Sequence, residues 1–139
     1  IYCPTGLYTY PDISVVCDRP QYQDATHDVL LNPSVLIEVL SPSTERYDRV
    51  DKFRHYRSIP SLQEFVLVSQ TSRRIEHFAR QQDAEHWLLT TVEDPEGRVS
   101  FPTLGCSIPV SEIYAKIEFA DQMEPGDSSN GIVVQPPQS

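Results

Sequence analysis

The sequence has 139 residues, with 20 acidic and 11 basic side chains and a formal net charge of −9. This length suits one domain with its own hydrophobic core, and the acidic balance disfavours a protein whose whole surface captures nucleic acid. The widely spaced Cys3, Cys17 and Cys106 disfavour a disulfide framework and a structural zinc site, and favour a reducing cytoplasm. No apolar run approaches the roughly 18 residues that a membrane span needs.

The first half of the chain predicts two strands and a helix. Residues 8–18, YTYPDISVVCD, predict a strand that is entered through Pro11. Residues 34–41, SVLIEVLS, predict a strand buried on both faces, because the run is continuously apolar rather than alternating. A helix then begins after Ser43 or Thr44 and runs to Pro60, with a row of large side chains spaced by three: Tyr47, Val50, Phe53 and Tyr56.

The second half predicts further strands and a short last helix. Residues 64–70 form another mostly apolar strand, and the alternating segments 73–81 and 85–93 form an antiparallel hairpin. Residues 98–105 predict a short edge strand interrupted by Pro102, and residues 109–117 predict a helix. A buried strand, a crossover helix and a second buried strand imply a parallel pair, so the fold class is α/β with a mixed sheet.

The two ends of the chain differ from its middle. The first residue is Ile1 and the only methionine is Met123, so we expect that an N-terminal element of the fold is missing. Residues 120–139 are rich in Pro, Gly, Ser and Gln and lack periodicity, which predicts a flexible acidic and polar tail. The predicted domain therefore covers residues 1–119.

A charged residue, Glu38, lies in the middle of the buried strand 34–41. Burying an ionised carboxylate without a partner costs several kcal/mol, so it must be neutral, paired or bound to a cation. Asp12 begins the preceding strand, and both acids reach one point if the two strands are neighbours. Two carboxylates with a backbone carbonyl and waters suit a divalent cation such as Mg²⁺. A structural ion pair with Lys52 or an arginine remains the alternative for Glu38.

On the predicted helix, Asp48, Lys52 and Tyr56 are four residues apart and form one stripe. This stripe is partly distinct from the face led by Val50 and Phe53, and it can lean over the point where the acids converge. Taken alone, Asp48 and Lys52 suit a surface salt bridge, and Tyr56 suits a core position.

The ordered set of motifs resembles the Uma-two family of bacterial proteins, over about residues 8–117. The set is Pro11-Asp12 before a strand, then EVLSPST at 38–44, then Asp48, Lys52 and Tyr56 before EFVLV at 64–68. That family is usually described as candidate restriction endonucleases of the PD-(D/E)XK nuclease superfamily.

The resemblance implies a restriction-endonuclease-like mixed sheet with flanking helices, and a role for each motif residue. Asp12 and Glu38 would be metal ligands for Mg²⁺ or Mn²⁺, Lys52 the catalytic lysine, and Asp48 and Tyr56 supporting residues. The superfamily's usual motif has a lysine two residues after the glutamate, where this sequence has Leu40. The family's pattern supplies a lysine from the following helix instead.

Three functions therefore compete. The first is a metal-dependent endonuclease acting on nucleic acid, with DNA as the favoured substrate. The second is a binding module that keeps the nuclease fold without turnover, which Leu40 and the acidic net charge favour. The third is a domain whose buried polar residues are purely structural, such as a subunit of an assembly.

The predicted hairpin suggests self-association. It carries Ile75, Phe78, Trp87 and Leu89, more apolar surface than one short sheet face needs. A two-fold dimer would also present two equivalent sites to duplex DNA. We therefore expect a homodimer or a higher homo-oligomer that uses this hairpin or the missing N-terminal element, although the same residues would equally serve to cover the chain's own core.

Overall fold

The computed structural model describes residues 1–43, 47–83 and 85–115, and of Asp48 it describes the backbone alone. The predicted helix cap at Thr44 and the predicted tail 120–139 lie outside the described residues. Within these ranges, no helix is long and apolar enough to cross a membrane.

The main element is a five-stranded mixed sheet in the strand order β1-β2-β3-β4-β5. Its parallel pair is β2–β3, joined by the helical connection, and the other neighbours are antiparallel. The predicted α/β class, the parallel pair and the hairpin β4–β5 are thus confirmed. The strands are Ile13–Val15 (β1), Val35–Leu40 (β2), Glu64–Ser69 (β3), Ile75–Arg80 (β4) and Trp87–Val92 (β5).

The first strand is much shorter than the predicted 8–18. Tyr8 forms an isolated antiparallel bridge with Tyr2, and the chain joins the sheet only after Pro11, at Ile13. The proline has no N–H to give to a ladder, which separates the two pairings.

The connection between β2 and β3 contains a π-helical segment, Tyr47–Lys52, followed by one α-helical turn, α1 (Phe53–Tyr56). The predicted apolar face is wrong in its first half, because Tyr47 is exposed and Val50 is 63% exposed. A spacing of three residues falls short of the 3.6 residues of an α-helical turn, and a π-helix is wider still, so the row drifts around the axis.

A second, two-stranded sheet follows β5. The predicted edge strand is β6 (Arg98–Phe101), which ends at Pro102, but its partner β7 (Cys106–Pro109) was not predicted. Gly105 allows the reversal between them because it adopts a left-handed φ of 66°. The last helix, α2 (Val110–Ile113), is shorter within the described residues than the predicted 109–117.

Both faces of the main sheet are covered, by different parts of the chain. Side chains alternate across a strand, so neighbouring residues of β2 and β3 join different clusters. The helix-facing cluster contains Leu36, Leu40, Phe65, Leu67, Tyr56, Ile59 and Leu62. The opposite cluster contains Val35, Val66, Ile75, Val99, Phe101 and Val110. Glu38 has the same parity as Leu36 and Leu40, and therefore lies on the helix-facing side.

Candidate functional site

Asp12 lies directly before β1, and Glu38 lies on the neighbouring strand β2. Ile13 pairs with Ile37 in the antiparallel register of β1 and β2, so Asp12 occupies the position across from Glu38. The Asp12 Oδ2 atom accepts a hydrogen bond from the Val39 backbone N–H at 2.6 Å, which ties this carboxylate to β2. The two strands are therefore neighbours, which is the condition that the predicted meeting of the two acids requires.

Glu38 is 3% exposed, yet its charge is matched by two groups from the helical connection. Its Oε1 atom accepts a 2.7 Å hydrogen bond from the Tyr56 hydroxyl and lies 3.3 Å from the Lys52 ammonium. A buried carboxylate with a cation and a hydroxyl donor is compensated in the way that burial of an ion requires.

Tyr56 is fully buried and acts as a donor at neutral pH. Burial raises the pKa of its hydroxyl far above the usual tyrosine range, and the neighbouring Glu38 charge raises it further. The Thr9 hydroxyl lies 3.3 Å from the Tyr56 oxygen. Thr9 lay inside the predicted strand 8–18 but was not predicted as a site residue, because it belongs to no motif.

The helical connection places Lys52 and Tyr56 together. The π-helical segment ends at Lys52, α1 ends at Tyr56, and both side chains reach Glu38. The predicted four-residue stripe is thus present for these two residues. The side chain of Asp48, the third predicted member, lies outside the described residues.

Tyr56→Phe should lower the free energy of unfolding by about 1.5–3 kcal/mol at pH 7, because it removes a hydrogen bond to a buried charged group. The raised pKa means that folded Tyr56 holds its proton more tightly than unfolded tyrosine does. That stabilisation is present below the unfolded pKa of about 10 and is lost as the pH rises through the folded value. The variant's deficit should therefore shrink in alkaline buffer. Urea unfolding at several pH values measures it.

Tyr114→Phe is the matched control for this substitution. The Tyr114 side chain is also buried, but its hydroxyl donates to the neutral backbone carbonyls of Ser69 and Arg74 and accepts from the Arg74 backbone N–H at 3.3 Å. Its loss should cost only about 1 kcal/mol. Equal losses from the two variants would show that the Glu38 charge adds nothing to the Tyr56 bond.

A second buried carboxylate, Glu76, lies in the same cross-strand row and was not predicted. Leu67 of β3 pairs with Glu38 on one side and with Glu76 of β4 on the other. Glu76 forms ion pairs with Arg49 and Arg74. A signal was present in the alternation of IEHFAR, where Glu76 has the parity of the apolar Phe78 rather than that of a solvent-facing residue.

The carboxylate oxygens of Asp12 and Glu38 are the kind of ligand that a hard divalent cation with few protein ligands prefers. Among the described side chains, no group of three or more His, Cys, Asp or Glu residues forms a metal-binding cluster. Two opposed carboxylates suffice for Mg²⁺, which usually keeps several waters and takes one or two carboxylates. Asp12 and Glu38 therefore fit such an ion.

Comparisons with known proteins identify a family and two relatives of this chain. The family model Uma2, described as "Putative restriction endonuclease", matches residues 1–111. Two uncharacterised Synechocystis proteins are similar in sequence. The protein slr1290 is 40% identical, over 83% of this chain and 58% of slr1290. The protein sll1609 is 38% identical, over 68% of this chain and 52% of sll1609. The chain thus spans just over half the length of these relatives.

A solved structure resembles the fold. It is the crystal structure of an Anabaena variabilis ATCC 29413 protein described as "a putative nuclease belonging to DUF820", which aligns with a TM-score of 0.51 and 17% identity. The alignment covers 63% of this chain and 46% of that one, and at this identity it shows the fold alone. Together with the family match over most of the sequence, it leads to one conclusion: the chain belongs to the Uma2 family and has a restriction-endonuclease-like fold.

Proposed function

We propose that the protein is a metal-dependent endonuclease that hydrolyses phosphodiester bonds of nucleic acid, with DNA as the favoured substrate. One observation carries this proposal. Asp12, directly before β1, is bonded to the Val39 N–H next to Glu38, and Lys52 and Tyr56 both contact Glu38 from the helical connection. The family description supports the same reaction class.

In this proposal, Asp12 and Glu38 hold Mg²⁺ or Mn²⁺, which when bound would lower the pKa of a water and polarise the phosphate. The chain's own groups prepare the site. The Val39 N–H orients Asp12, and the Tyr56 hydroxyl orients Glu38. Both bonds hold a carboxylate in a fixed orientation, which pre-organises the pair for a cation.

Lys52 supplies the positive charge beside the reacting phosphate. Its side chain is 13% exposed and its ammonium lies 3.3 Å from Glu38, so it is held next to the acids rather than in bulk water. There it can stabilise the charge that develops on the attacked phosphate. Leu40, in the superfamily's usual lysine position, is instead buried in the helix-facing cluster. A lysine from the helical connection reaches the site without placing a charge among those apolar side chains.

The second candidate is a nucleic-acid-binding module without turnover. The observation that favours it is the same Lys52–Glu38 contact, because an ion pair of this kind also serves as a structural substitute for a metal. In that case the chain would bind nucleic acid equally well with or without divalent ions.

Cleavage assays with the full chain test the proposal. Labelled duplex DNA, single-stranded DNA and RNA would be incubated with Mg²⁺, Mn²⁺ or EDTA, alongside Asp12→Asn and the exposed control Asp18→Asn. We expect cleavage that needs the metal, is lost in Asp12→Asn and persists in Asp18→Asn. Nucleic-acid binding with no cleavage in either metal would select the binding module.

We propose that residues 1–119 form the folding domain and that residues 120–139, outside the described residues, are dispensable for it. The segment contains little apolar surface to offset an ordering cost of about 1–2 kcal/mol per residue. Deleting 120–139 should leave the melting temperature almost unchanged. A drop of many degrees in calorimetry would show that the segment packs on the domain.

We also propose a homo-oligomer, most simply a dimer, with β5 as its contact. Ile75 is buried, and Phe78 and Trp87 pack against the chain's own core, so much of the hairpin's apolar surface is already used. Leu88 and Leu89 on β5, the last strand of the described sheet, are exposed. An uncharged edge strand of this kind can pair with a second copy. Light scattering at tens of micromolar would contradict the proposal if it gave a monomer mass.

A cytoplasmic location completes the proposal. The widely spaced cysteines, which are free within the described residues, and a nucleic-acid substrate both favour it.

A further inference from the structure

Two arginines surround Glu76, the second buried carboxylate on the helix-facing side of the sheet. Arg49 pairs with Glu76, and the Arg74 Nη2 atom lies 3.3 Å from Glu76 Oε1. The Glu76 side chain is only 6% exposed, whereas Arg49 is 27% exposed and Arg74 is 40% exposed. The negative charge is therefore buried beneath two guanidinium groups that still reach solvent. The Glu93 carboxylate lies 3.9 Å from Arg74 Nε, but its side chain is 67% exposed. Solvent therefore screens its attraction to the positive charge of Arg74.

This cluster lies beside the proposed catalytic acids. Glu38 and Glu76 pair with Leu67 from opposite sides, so two strand spacings of about 4.8 Å separate them, roughly 10 Å in all. Arg49 and Lys52 come from the same π-helical segment, and each contacts one of the two carboxylates. The cations thus continue along the row, on the helix-facing side of the sheet.

We propose that Arg49 and Arg74, positioned by Glu76, form a phosphate-binding subsite that holds the nucleic-acid backbone next to the phosphodiester being cleaved. This inference rests on the proposed function of the Asp12–Glu38 site. A nucleic-acid strand carries one phosphate per about 3.4 Å of helix axis, so a span of roughly 10 Å covers about three phosphates. Guanidinium groups match the geometry of phosphate oxygens and bind them bidentately.

The subsite also accounts for binding by an acidic protein. With a net charge of −9, the chain cannot rely on its overall field to attract nucleic acid. A local set of arginines above one buried carboxylate supplies positive charge where the backbone must lie, while the other acidic residues disfavour binding elsewhere on the surface. Contacts to phosphate position a strand without reading its sequence.

Salt-dependent binding separates this role from a purely structural one. Fluorescence anisotropy of a labelled oligonucleotide, measured in EDTA to prevent cleavage, would give the slope of log K against log salt for the full chain. Each lost phosphate contact reduces the magnitude of that slope by about 0.9 on duplex DNA and about 0.7 on a single strand. We expect this reduction in Arg49→Ala and in Arg74→Ala, and about twice the reduction in the double variant.

Two further variants make the test specific. Arg98→Ala removes the same charge from β6, whose Val99 and Phe101 pack against the opposite face of the main sheet, and should leave the slope unchanged. Arg49→Lys keeps the charge and should restore the slope of the parent while binding more weakly. Arg74→Ala truncates a half-exposed side chain, so it tests the subsite even where Arg49→Ala lowers the melting temperature.

The outcomes distinguish this inference from the proposed function. Metal-dependent cleavage by the parent, with unchanged slopes in both alanine variants, would overturn the subsite alone. Reduced slopes without cleavage by the parent would support the subsite and overturn the nuclease. A parent that binds no oligonucleotide would overturn the subsite. If both alanine variants bound Mn²⁺ as the parent does, this would further support a role of the two arginines that is limited to the nucleic-acid backbone.

Discussion

Glu38→Gln should abolish Mn²⁺ binding and cleavage while the protein still folds cooperatively. The substitution keeps the side chain's shape and leaves an amide oxygen to accept the Tyr56 hydrogen bond, but it removes the charge that a divalent cation needs. It also removes the counter-charge of Lys52, so a moderate fall in melting temperature is expected. Isothermal titration calorimetry with Mn²⁺ and thermal unfolding measure the two effects.

Glu96→Gln is the matched control, because it makes the same chemical change at an exposed turn far along the sequence. It should bind Mn²⁺ as the parent does. Undiminished Mn²⁺ affinity in Glu38→Gln would falsify the metal-ligand role, and the Lys52–Glu38 contact would then be a structural ion pair.

Lys52→Met should separate metal binding from turnover. Methionine retains much of the apolar stem but removes the ammonium, so we expect kcat to fall by about 10²–10³, the loss typical of one electrostatic group at a developing charge. Mn²⁺ binding should persist or strengthen, because the positive neighbour at 3.3 Å from Glu38 no longer competes with the ion. Single-turnover cleavage under saturating metal, together with calorimetry, gives both quantities.

Lys52→Arg provides the comparison, since it keeps the charge but changes the donor geometry, and it should recover part of the lost rate. If Lys52→Met lost Mn²⁺ binding together with activity, Lys52 would be holding the site's structure and would not act on the phosphate.

Local patterns in the sequence predicted most of the main sheet. The continuous apolar runs at 34–41 and 64–70 became β2 and β3, and the alternating segments at 73–81 and 85–93 became β4 and β5. These patterns are reliable because each reflects how one strand distributes its side chains between its two faces. β7 escaped prediction, because its short segment follows Gly105 and ends at Pro109, and both residue types disfavour a strand.

The helical connection shows where the same reasoning fails. The three-residue spacing grouped Tyr47 and Val50 with Phe53 and Tyr56, yet the first two face solvent. A π-helical segment changes the angular spacing of side chains, so a pattern based on the α-helical period misplaces them. Lys52 and Tyr56 nevertheless reach Glu38, because the α-helical turn begins directly after Lys52.

The sequence by itself determined the chemical components: a carboxylate inside a buried strand, another at a strand entrance, and a helical segment that carries lysine and tyrosine. Only the tertiary structure decided which of these groups meet. The β1–β2 register sets Asp12 opposite Glu38, and the β2–β3–β4 register brings Glu76, with Arg49 and Arg74, into the same row. The reason is physical: periodicity reports contacts between near neighbours in the chain, whereas register depends on contacts between residues far apart in sequence.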